Sequence, residues 1–263
     1  MFVKIVKVLS AILFIYDINI GCHLIYPRIS GQLECGKPVV TLSTARIITG
    51  QELDPRHSQP WMVVVGHCGD CGGTLISDQH VLTAGHCAQA PCGPELDRVI
   101  LGEHSCENFD GGEIVLAVTN ISIHPNYRCE HDSAFYDFAI LTMEKPIKFS
   151  STILPACLPG TSSDNFAWRE VTTSGWGVLG NQDNPELLYK NPDVLMTLNL
   201  TVLPISICEN EKWLNDKYGR INVTGGVKLI NESYMICVGD LGANEKMTLK
   251  GLYKGDSGGT CLP

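Results

Sequence analysis

Three short motifs contain the side chains that nucleophilic catalysis needs. They are TAGHC at 83–87, DFAIL at 137–141 and GDSGG at 255–259. A serine hydroxyl is a weak nucleophile at neutral pH, so a neighbouring base has to take its proton. An imidazole titrates in the right range for that exchange, and a buried carboxylate would hold its tautomer and stabilise the imidazolium. The motifs therefore predict a catalytic triad of His86, Asp137 and Ser257.

Each motif is weak by itself. A histidine beside a cysteine is usually structural, an aspartate before an apolar strand is usually a turn residue, and a glycine-rich string is often a plain turn. The glycines around Ser257 would nevertheless let the backbone turn sharply enough for amides to face a developing oxyanion. We expect the amides of Gly255 and Ser257 to form that oxyanion hole.

The elements that must position these residues are short strands. Apolar runs bounded by turn residues lie at 61–65, 73–76, 80–84, 99–101, 114–118, 138–143, 171–174, 196–202 and 235–238. The run at 196–202 alternates strictly, which predicts an apolar inner face and a polar outer face carrying Thr197, Asn199 and Thr201. A capping box beginning at Ser206 predicts one short helix that ends near Gly219. This pattern favours an all-β barrel or sandwich.

Composition narrows the class of protein and its compartment. The chain has 263 residues, 12 cysteines, 44% hydrophobic residues and a formal net charge of −9. The acidic balance argues against nucleic acid as the main partner, because phosphate binding needs clustered cations. Twelve cysteines indicate an oxidising compartment, where disulfides persist.

The N-terminal segment is typical of a signal peptide. Lys4 and Lys7 precede an apolar run at 8–16, which is too short to span a bilayer. We predict that residues 1–22 are removed and that the protein is secreted, although a buried strand or helix near the start is the alternative. No other segment is apolar enough to cross a membrane. Glycosylation sequons at Asn120, Asn199, Asn222 and Asn231 favour a glycoprotein.

Together the three motifs, in the order His, Asp, Ser, resemble those of trypsin-like serine proteases with the chymotrypsin fold. The resemblance runs from about Cys35 to the last residue, with further matches in PW at 60–61, CGG at 71–73 and SGWG at 174–177. It implies two packed six-stranded antiparallel β-barrels with the triad at their junction. It also implies a monomeric endopeptidase that cleaves protein or peptide substrates through an acyl-enzyme and requires no cofactor.

The resemblance extends to activation of a zymogen. The segment RIITG at 46–50 is similar to the family's cleavage site. Cutting after Arg46 by an upstream protease would free the amine of Ile47 to pair with Asp256 and order the oxyanion hole. The predicted organisation is thus a pro-segment at 23–46 and a protease domain at 47–263.

Cysteine pairing follows partly from the same resemblance, which implies Cys71–Cys87, Cys208–Cys237 and Cys35–Cys157. Loop proximity suggests Cys68–Cys92 and Cys106–Cys129 and leaves Cys261 without an obvious partner. A rival interpretation is that His67, Cys68 and Cys71, together with His86 and Cys87, bind zinc or act in redox exchange.

A cation site is also conceivable in the segment after residue 101. Glu103 and Glu113 are spaced as in the calcium loop of several family members, and Ser105, Asn108 or Asp110 could add oxygen ligands. A solvated acidic loop explains the same residues. Both interpretations stay open from the sequence.

Two features depart from the family pattern. Gly251 occupies the position that sets primary specificity, where an aspartate would select Lys or Arg, and Tyr253 stands where a cysteine is usual. The chain also stops six residues after Ser257, so we expect an incomplete second barrel and favour an incomplete sequence of an active enzyme. The rival functions are a non-catalytic protease homologue that binds or regulates a partner and a disulfide-rich structural module.

Overall fold

The structure is a computed structural model that describes residues 3–6, 35–38, 51–89, 93, 96–129, 136–158, 166–178, 191–206, 236–239 and 256–262. Within these ranges the regular structure is β-strand, apart from the 3-10 helix Gly85–Cys87 and a helical start at residues 205–206. The all-β prediction is confirmed. The remainder of the short helix predicted from Ser206 lies outside the described residues.

Twelve strands lie within the described residues. In chain order they are β1 (Val3–Val6), β2 (Gln51–Glu52), β3 (Met62–Val65), β4 (Cys71–Leu75), β5 (His80–Thr83), β6 (Arg98–Leu101), β7 (Ile114–Ile123), β8 (Ala139–Met143), β9 (Glu170–Gly175), β10 (Met196–Leu203), β11 (Ile236–Gly239) and β12 (Cys261–Leu262). The described part of the chain contains no helix with the length and hydropathy of a membrane span.

Six of these strands close into an antiparallel barrel in the order β3-β4-β5-β8-β7-β6. Its interior is filled by branched aliphatic side chains, and Val63, Val81 and Leu141 have no exposed surface. Each such side chain contributes roughly 1.5–3 kcal/mol relative to an exposed one. The barrel therefore provides a rigid base for the loops at its ends.

The other six strands form a second sheet, with the order β1-β11-β10-β9-β12 and β2 pairing with β10. The backbone of β1, which lies inside the predicted signal peptide, runs antiparallel to β11. That arrangement corresponds to the alternative of a strand near the start, while removal of residues 1–22 stays a prediction. The core of this sheet includes Val171, Leu200 and Val238.

The alternation predicted for β10 holds except at one position. Leu198, Leu200 and Val202 are buried and Asn199 is exposed, as expected. Thr197 is also buried, contrary to the prediction of an outward position. Its hydroxyl donates a hydrogen bond to the Thr173 carbonyl on β9 (3.3 Å), which satisfies the polar group in the interior.

The barrel and the second sheet are joined by backbone hydrogen bonds through the loop after β6. The Leu195 N–H donates to the His104 carbonyl (2.8 Å), and the Cys106 N–H donates to the Asp193 carbonyl (2.8 Å). The indole N–H of Trp176 also donates to the His104 carbonyl (3.2 Å). Trp176 and Leu195 belong to the same apolar core as the barrel strands, so the two units share one interior.

The disulfides correct two of the pairings expected from loop proximity. The structure joins Cys35 to Cys157, Cys71 to Cys87 and Cys68 to Cys106. The expectations of Cys68–Cys92 and Cys106–Cys129 were therefore wrong. The turn after β3 and the loop after β6 both lie against the segment before β10, because a Cβ on Gly69 would overlap Asn191 and the Cys106 N–H donates to the Asp193 carbonyl. The Cα atoms of Cys68 and Cys106 are 6.0 Å apart.

Two further cysteines, Cys129 and Cys237, are also disulfide-bonded. Cys208, the partner expected for Cys237, lies outside the described residues, as does Cys92.

Candidate active site

The register between β5 and β8 brings His86 and Asp137 to the same end of the barrel. Thr83, the last residue of β5, lies opposite Ala139, the first residue of β8. In an antiparallel pair, the end of one strand faces the beginning of the other. His86 comes three residues after β5 and Asp137 two residues before β8, so the pairing alone places them close together.

His86 and Asp137 are joined by two hydrogen bonds. His86 Nδ1 lies 2.9 Å from Asp137 Oδ2, and the His86 backbone N–H donates to Oδ1 at 2.7 Å. The Asp137 side chain is 11% exposed and that of His86 is 36% exposed. A buried carboxylate that accepts at both oxygens orients the ring and favours the tautomer with the proton on Nδ1. Nε2 is then the nitrogen that accepts a proton.

The 3-10 helix Gly85–Cys87 fixes the backbone at His86. Its last residue is tied by a disulfide to Cys71 at the start of β4. Gly85 allows Asp137 to approach closely, because a Cβ on Gly85 would lie 3.2 Å from Asp137 Oδ1 and from Tyr127 Cδ1. A side chain at position 85 would therefore crowd the Asp137 carboxylate, although a small shift of the neighbours could accommodate it.

Tyr127 lies near the Asp137 carboxylate, since a Cβ on Gly85 would be 3.2 Å from both side chains. The Tyr127 side chain is buried, and that burial, together with the negative charge of Asp137, raises the pKa of Tyr127 to about 12. The Tyr127 phenol therefore stays protonated throughout the neutral range. Its role was not predicted from the sequence, since Tyr127 lies ten positions from Asp137 and no motif joins the two.

Ser257 lies in a sharp turn packed against the barrel strands that lead to His86. Its carbonyl accepts a hydrogen bond from the Gly72 N–H on β4 (2.8 Å) and lies 3.7 Å from Cys87 Sγ. Nearby, the hydroxyls of Thr74 and Thr260 are hydrogen-bonded at 2.7 Å. The turn that holds Ser257 is thus attached at two points to β4 and contacts the residue that follows His86.

Gly258 makes this close attachment sterically possible. Its φ is 77°, in the left-handed region, and a Cβ there would lie 2.5 Å from the Gly72 carbonyl oxygen and against Thr83 Oγ1. Thr83 Oγ1 donates to the same Gly72 carbonyl (2.8 Å). Only a residue without a side chain fits between these groups.

Asp256 lies against the SGWG segment of the second sheet. Its Oδ1 accepts a hydrogen bond from the Gly177 N–H (2.8 Å). A Cβ on Gly175 or Gly177 would overlap the Asp256 carboxylate, so both glycines are needed for its close approach. In the sequence these glycines were only supporting matches to the family pattern, and their contact with Asp256 was not predicted.

Several predicted site residues lie outside the described part of the chain. These are Arg46 and Ile47 of the activation site, Gly255 of the oxyanion hole and Gly251 of the specificity pocket. Their roles remain predictions.

Within the acidic loop after β6, the Glu113 carboxylate binds the loop's own backbone. It accepts hydrogen bonds from the N–H groups of Asp110 (2.6 Å), Gly111 (2.9 Å) and Gly112 (3.0 Å). Burial by itself would raise the pKa of Glu113, but these amide contacts outweigh it and hold the pKa below its ordinary value.

Glu103 faces this part of the loop from the end of β6. Burial raises the pKa of Glu103 above its ordinary value, and the charges of Glu113 and Asp110 raise it further. Asp110 in turn pairs with the Arg56 guanidinium at 3.0 Å. Both Glu113 oxygens thus accept from loop amides and Asp110 is paired with Arg56, so a calcium ion bound by Glu103 and Glu113 stays a prediction.

The zinc or redox interpretation of the CxxC segment requires free thiolates, and both cysteines of this segment are in disulfides. Cys68 and Cys71 belong to two different disulfides, and His67 pairs with Asp70 (Nδ1 to Oδ2, 3.5 Å) on the exposed surface. Cys71, His86 and Cys87 do cluster, but the Cys71–Cys87 bond occupies both sulfurs. A disulfide sulfur does not provide the thiolate that zinc or thiol exchange requires.

Comparisons with known proteins agree with this geometry. The family model described as Trypsin matches residues 47–263. Kallikrein-12 of Homo sapiens is 31% identical over 219 residues, which cover 82% of this chain and 75% of kallikrein-12. Ovochymase-2 of Mus musculus is 34% identical over 167 residues, which cover 63% of this chain and 26% of that protein. The chain thus spans about a quarter of the length of ovochymase-2.

Proposed function

Because this chain belongs to the trypsin family of serine proteases, we propose that it is a secreted endopeptidase that hydrolyses peptide bonds through an acyl-enzyme on Ser257. The observation that carries the proposal is the two-point attachment of His86 to the Asp137 carboxylate. Family membership supports proteins as the substrate class.

The proposed reaction has two stages with one acid–base group. His86 Nε2 takes the hydroxyl proton as Ser257 Oγ attacks the carbonyl carbon, and the imidazolium then donates that proton to the leaving amine as the C–N bond breaks. Water then attacks the ester carbonyl carbon while His86 Nε2 takes a proton from it, and the imidazolium returns that proton to Ser257 Oγ as the ester bond breaks and the carboxylic acid leaves. Asp137 stays ionised, because its role is to orient the imidazole and stabilise its charged form.

Covalent labelling tests the nucleophile directly. After cleavage at Arg46, a fluorophosphonate should label the wild-type chain, and Ser257→Ala should abolish the label while leaving the melting temperature nearly unchanged. Ser77→Ala is a matched control, because Ser77 is a buried serine outside the proposed triad. An activated, folded chain that resists labelling would instead favour the non-catalytic homologue.

We further propose that cleavage after Arg46 activates the chain by freeing the Ile47 amine to pair with Asp256. The position of Asp256 supports this, since its carboxylate lies one residue before Ser257 and already contacts Gly177 in the second sheet. The Cys35–Cys157 disulfide would keep the cleaved pro-segment attached.

The activation proposal predicts a specific failure. Arg46→Gln should block cleavage, and Asp256→Asn should allow cleavage while keeping fluorophosphonate labelling low. N-terminal sequencing beginning at Ile47, together with the labelling rate, separates these two defects. Equal labelling of the cleaved and uncleaved wild-type chains would contradict the proposal.

Calcium is a structural ligand in this proposal and takes no part in the reaction. Glu103 and Glu113 would bind it, and a bound cation would neutralise the repulsion that adds to the effect of burial in raising the Glu103 pKa. Calcium should raise the melting temperature of the wild-type chain, and a chelator should reverse the rise. Glu103→Gln should remove this response, whereas an unchanged calcium response in that variant would favour a solvated loop.

Secretion, glycosylation and a monomeric state complete the proposal. The disulfides are compatible with an oxidising compartment. Asn120 on β7 and Asn199 on β10 are exposed, as a glycan would require, while Asn222 and Asn231 lie outside the described residues. Recovery from the medium, a mass loss on treatment with a peptide N-glycosidase and a monomeric mass in solution are the expected results.

A further inference from the structure

We propose that Tyr136 is a positioning residue for Asp137, held in place by the stacked ring of His124; as a role in catalysis this rests on the proposed function. Tyr136 immediately precedes Asp137 and has a φ of 54°, in the left-handed region. A bulky aromatic residue rarely adopts this conformation, so its surroundings have to maintain it.

The stack with His124 provides that support. The two ring centroids are 4.7 Å apart and the ring planes are inclined by 14°. Aromatic rings at this separation attract one another beyond the effect of simple burial. The pair is therefore positioned to hold Tyr136 in its unusual backbone conformation.

The His124 side of the stack is itself anchored. Its N–H donates to the Phe138 carbonyl (3.0 Å), and the Tyr127 N–H donates to the His124 carbonyl (2.9 Å). The Asn126 N–H donates to His124 Nδ1 (3.1 Å). The first two bonds fix the His124 backbone, one of them to the residue that follows Asp137, and the Asn126 N–H holds the His124 ring.

Asp137 lies at the apex of a tight turn between Tyr136 and Phe138. The Phe138 N–H donates to the Tyr136 carbonyl (2.8 Å), and β8 begins directly afterwards. With β8 fixed in the barrel, the backbone angles at Tyr136 determine how the chain enters this turn. A change in those angles would move the Asp137 oxygens away from His86 Nδ1 and N–H.

Three substitutions at Tyr136 distinguish the effect of its ring from the effect of its backbone conformation. Tyr136→Phe keeps a stacking ring and should keep kcat within about twofold of the wild type. Tyr136→Ala and Tyr136→Gly remove the ring, and both should lower kcat about tenfold with KM little changed. The NMR signal of the His86 Nδ1 proton should also move upfield, because a displaced carboxylate accepts a weaker hydrogen bond from it.

Trp168→Ala is the matched control. Trp168 is also an aromatic residue with a left-handed backbone (φ 70°), but it is exposed and lies in the turn before β9. This variant should leave kcat and the His86 Nδ1 proton signal unchanged. Wild-type kcat and a wild-type Nδ1 proton signal in Tyr136→Gly would overturn the proposal, as would a Tyr136→Ala variant whose only change is a lower melting temperature.

The NMR signal of the His86 Nδ1 proton separates this proposal from the proposed function. The spectrum needs no substrate, and Tyr136→Ala should move this signal upfield while Trp168→Ala does not. A wild-type chain that fails to hydrolyse peptides would refute the protease proposal, yet the spectra of the two variants would still decide the role of Tyr136.

Discussion

Replacing Gly258 with alanine should detach the turn that holds Ser257 from the barrel. An alanine Cβ at this position would lie 2.5 Å from the Gly72 carbonyl oxygen and 2.8 Å from the Ala84 amide nitrogen. The left-handed backbone adds about 1–2 kcal/mol for alanine, and overpacking adds about 1–3 kcal/mol. We therefore expect Gly258→Ala to lower the free energy of unfolding by about 2–5 kcal/mol.

The same displacement should impair the chemistry, because the turn carries Ser257. A shift of about 1 Å in a reacting group lowers the rate roughly 100-fold, so fluorophosphonate labelling of the activated chain should slow by about that factor. Stability is measured by urea unfolding and the labelling rate by gel fluorescence on the same preparations.

Gly111→Ala provides the control for backbone strain alone. Gly111 has a φ of 88°, yet a Cβ there would meet no atom within 4 Å. This variant should lose only about 1–2 kcal/mol and should label at the wild-type rate. If Gly258→Ala loses no more stability than Gly111→Ala and is also labelled at the wild-type rate, then close packing at Gly258 does not hold Ser257 in place.

Three further predictions concern ionisation and cross-linking. Because the pKa of Glu113 is lowered in the folded protein, its ionised carboxylate stabilises the fold at pH values above its ordinary pKa of roughly 4.3. This stability is lost as the pH falls through the lowered pKa, and Glu113→Gln should remove that part of the acid dependence in urea unfolding. The pKa of Tyr127, raised to about 12, makes stability fall as the pH rises above its ordinary value of about 10; Tyr127→Phe should remove this alkaline decline, and phenolate absorbance should follow the titration. The double change Cys68→Ser and Cys106→Ser opens a link across 38 residues and should lower the free energy of unfolding by about 3–4 kcal/mol, with little effect on labelling of Ser257.

The candidate site was predictable where residue type and chain order carry the chemistry. His86 and Asp137 were identified from their motifs, and the structure brings them together. The contribution of Tyr127 was not predictable in this way, because nothing about its residue type indicates that it will lie against a carboxylate. Its position depends on the turn that follows β7 and on the pairing of β7 with β8.

The cysteines show the same limit more sharply. Proximity along the chain suggested Cys68–Cys92 and Cys106–Cys129, whereas the structure forms Cys68–Cys106. Any two cysteines are chemically equivalent as partners, so the choice depends on which loops meet in three dimensions. Here both loops lie against the segment before β10, which brings Cys68 and Cys106 together.

By itself, the sequence determined the strand-forming runs, the high cysteine content and the residue types of an acid–base site. These depend on local properties: hydrophobic alternation, side-chain chemistry and the conformational freedom of glycine. Only the tertiary structure decided that Gly258 packs against Gly72, that Thr197 is buried and that Tyr136 stacks on His124. Such contacts join residues distant along the chain, and they follow from strand register and barrel closure, which no single segment specifies.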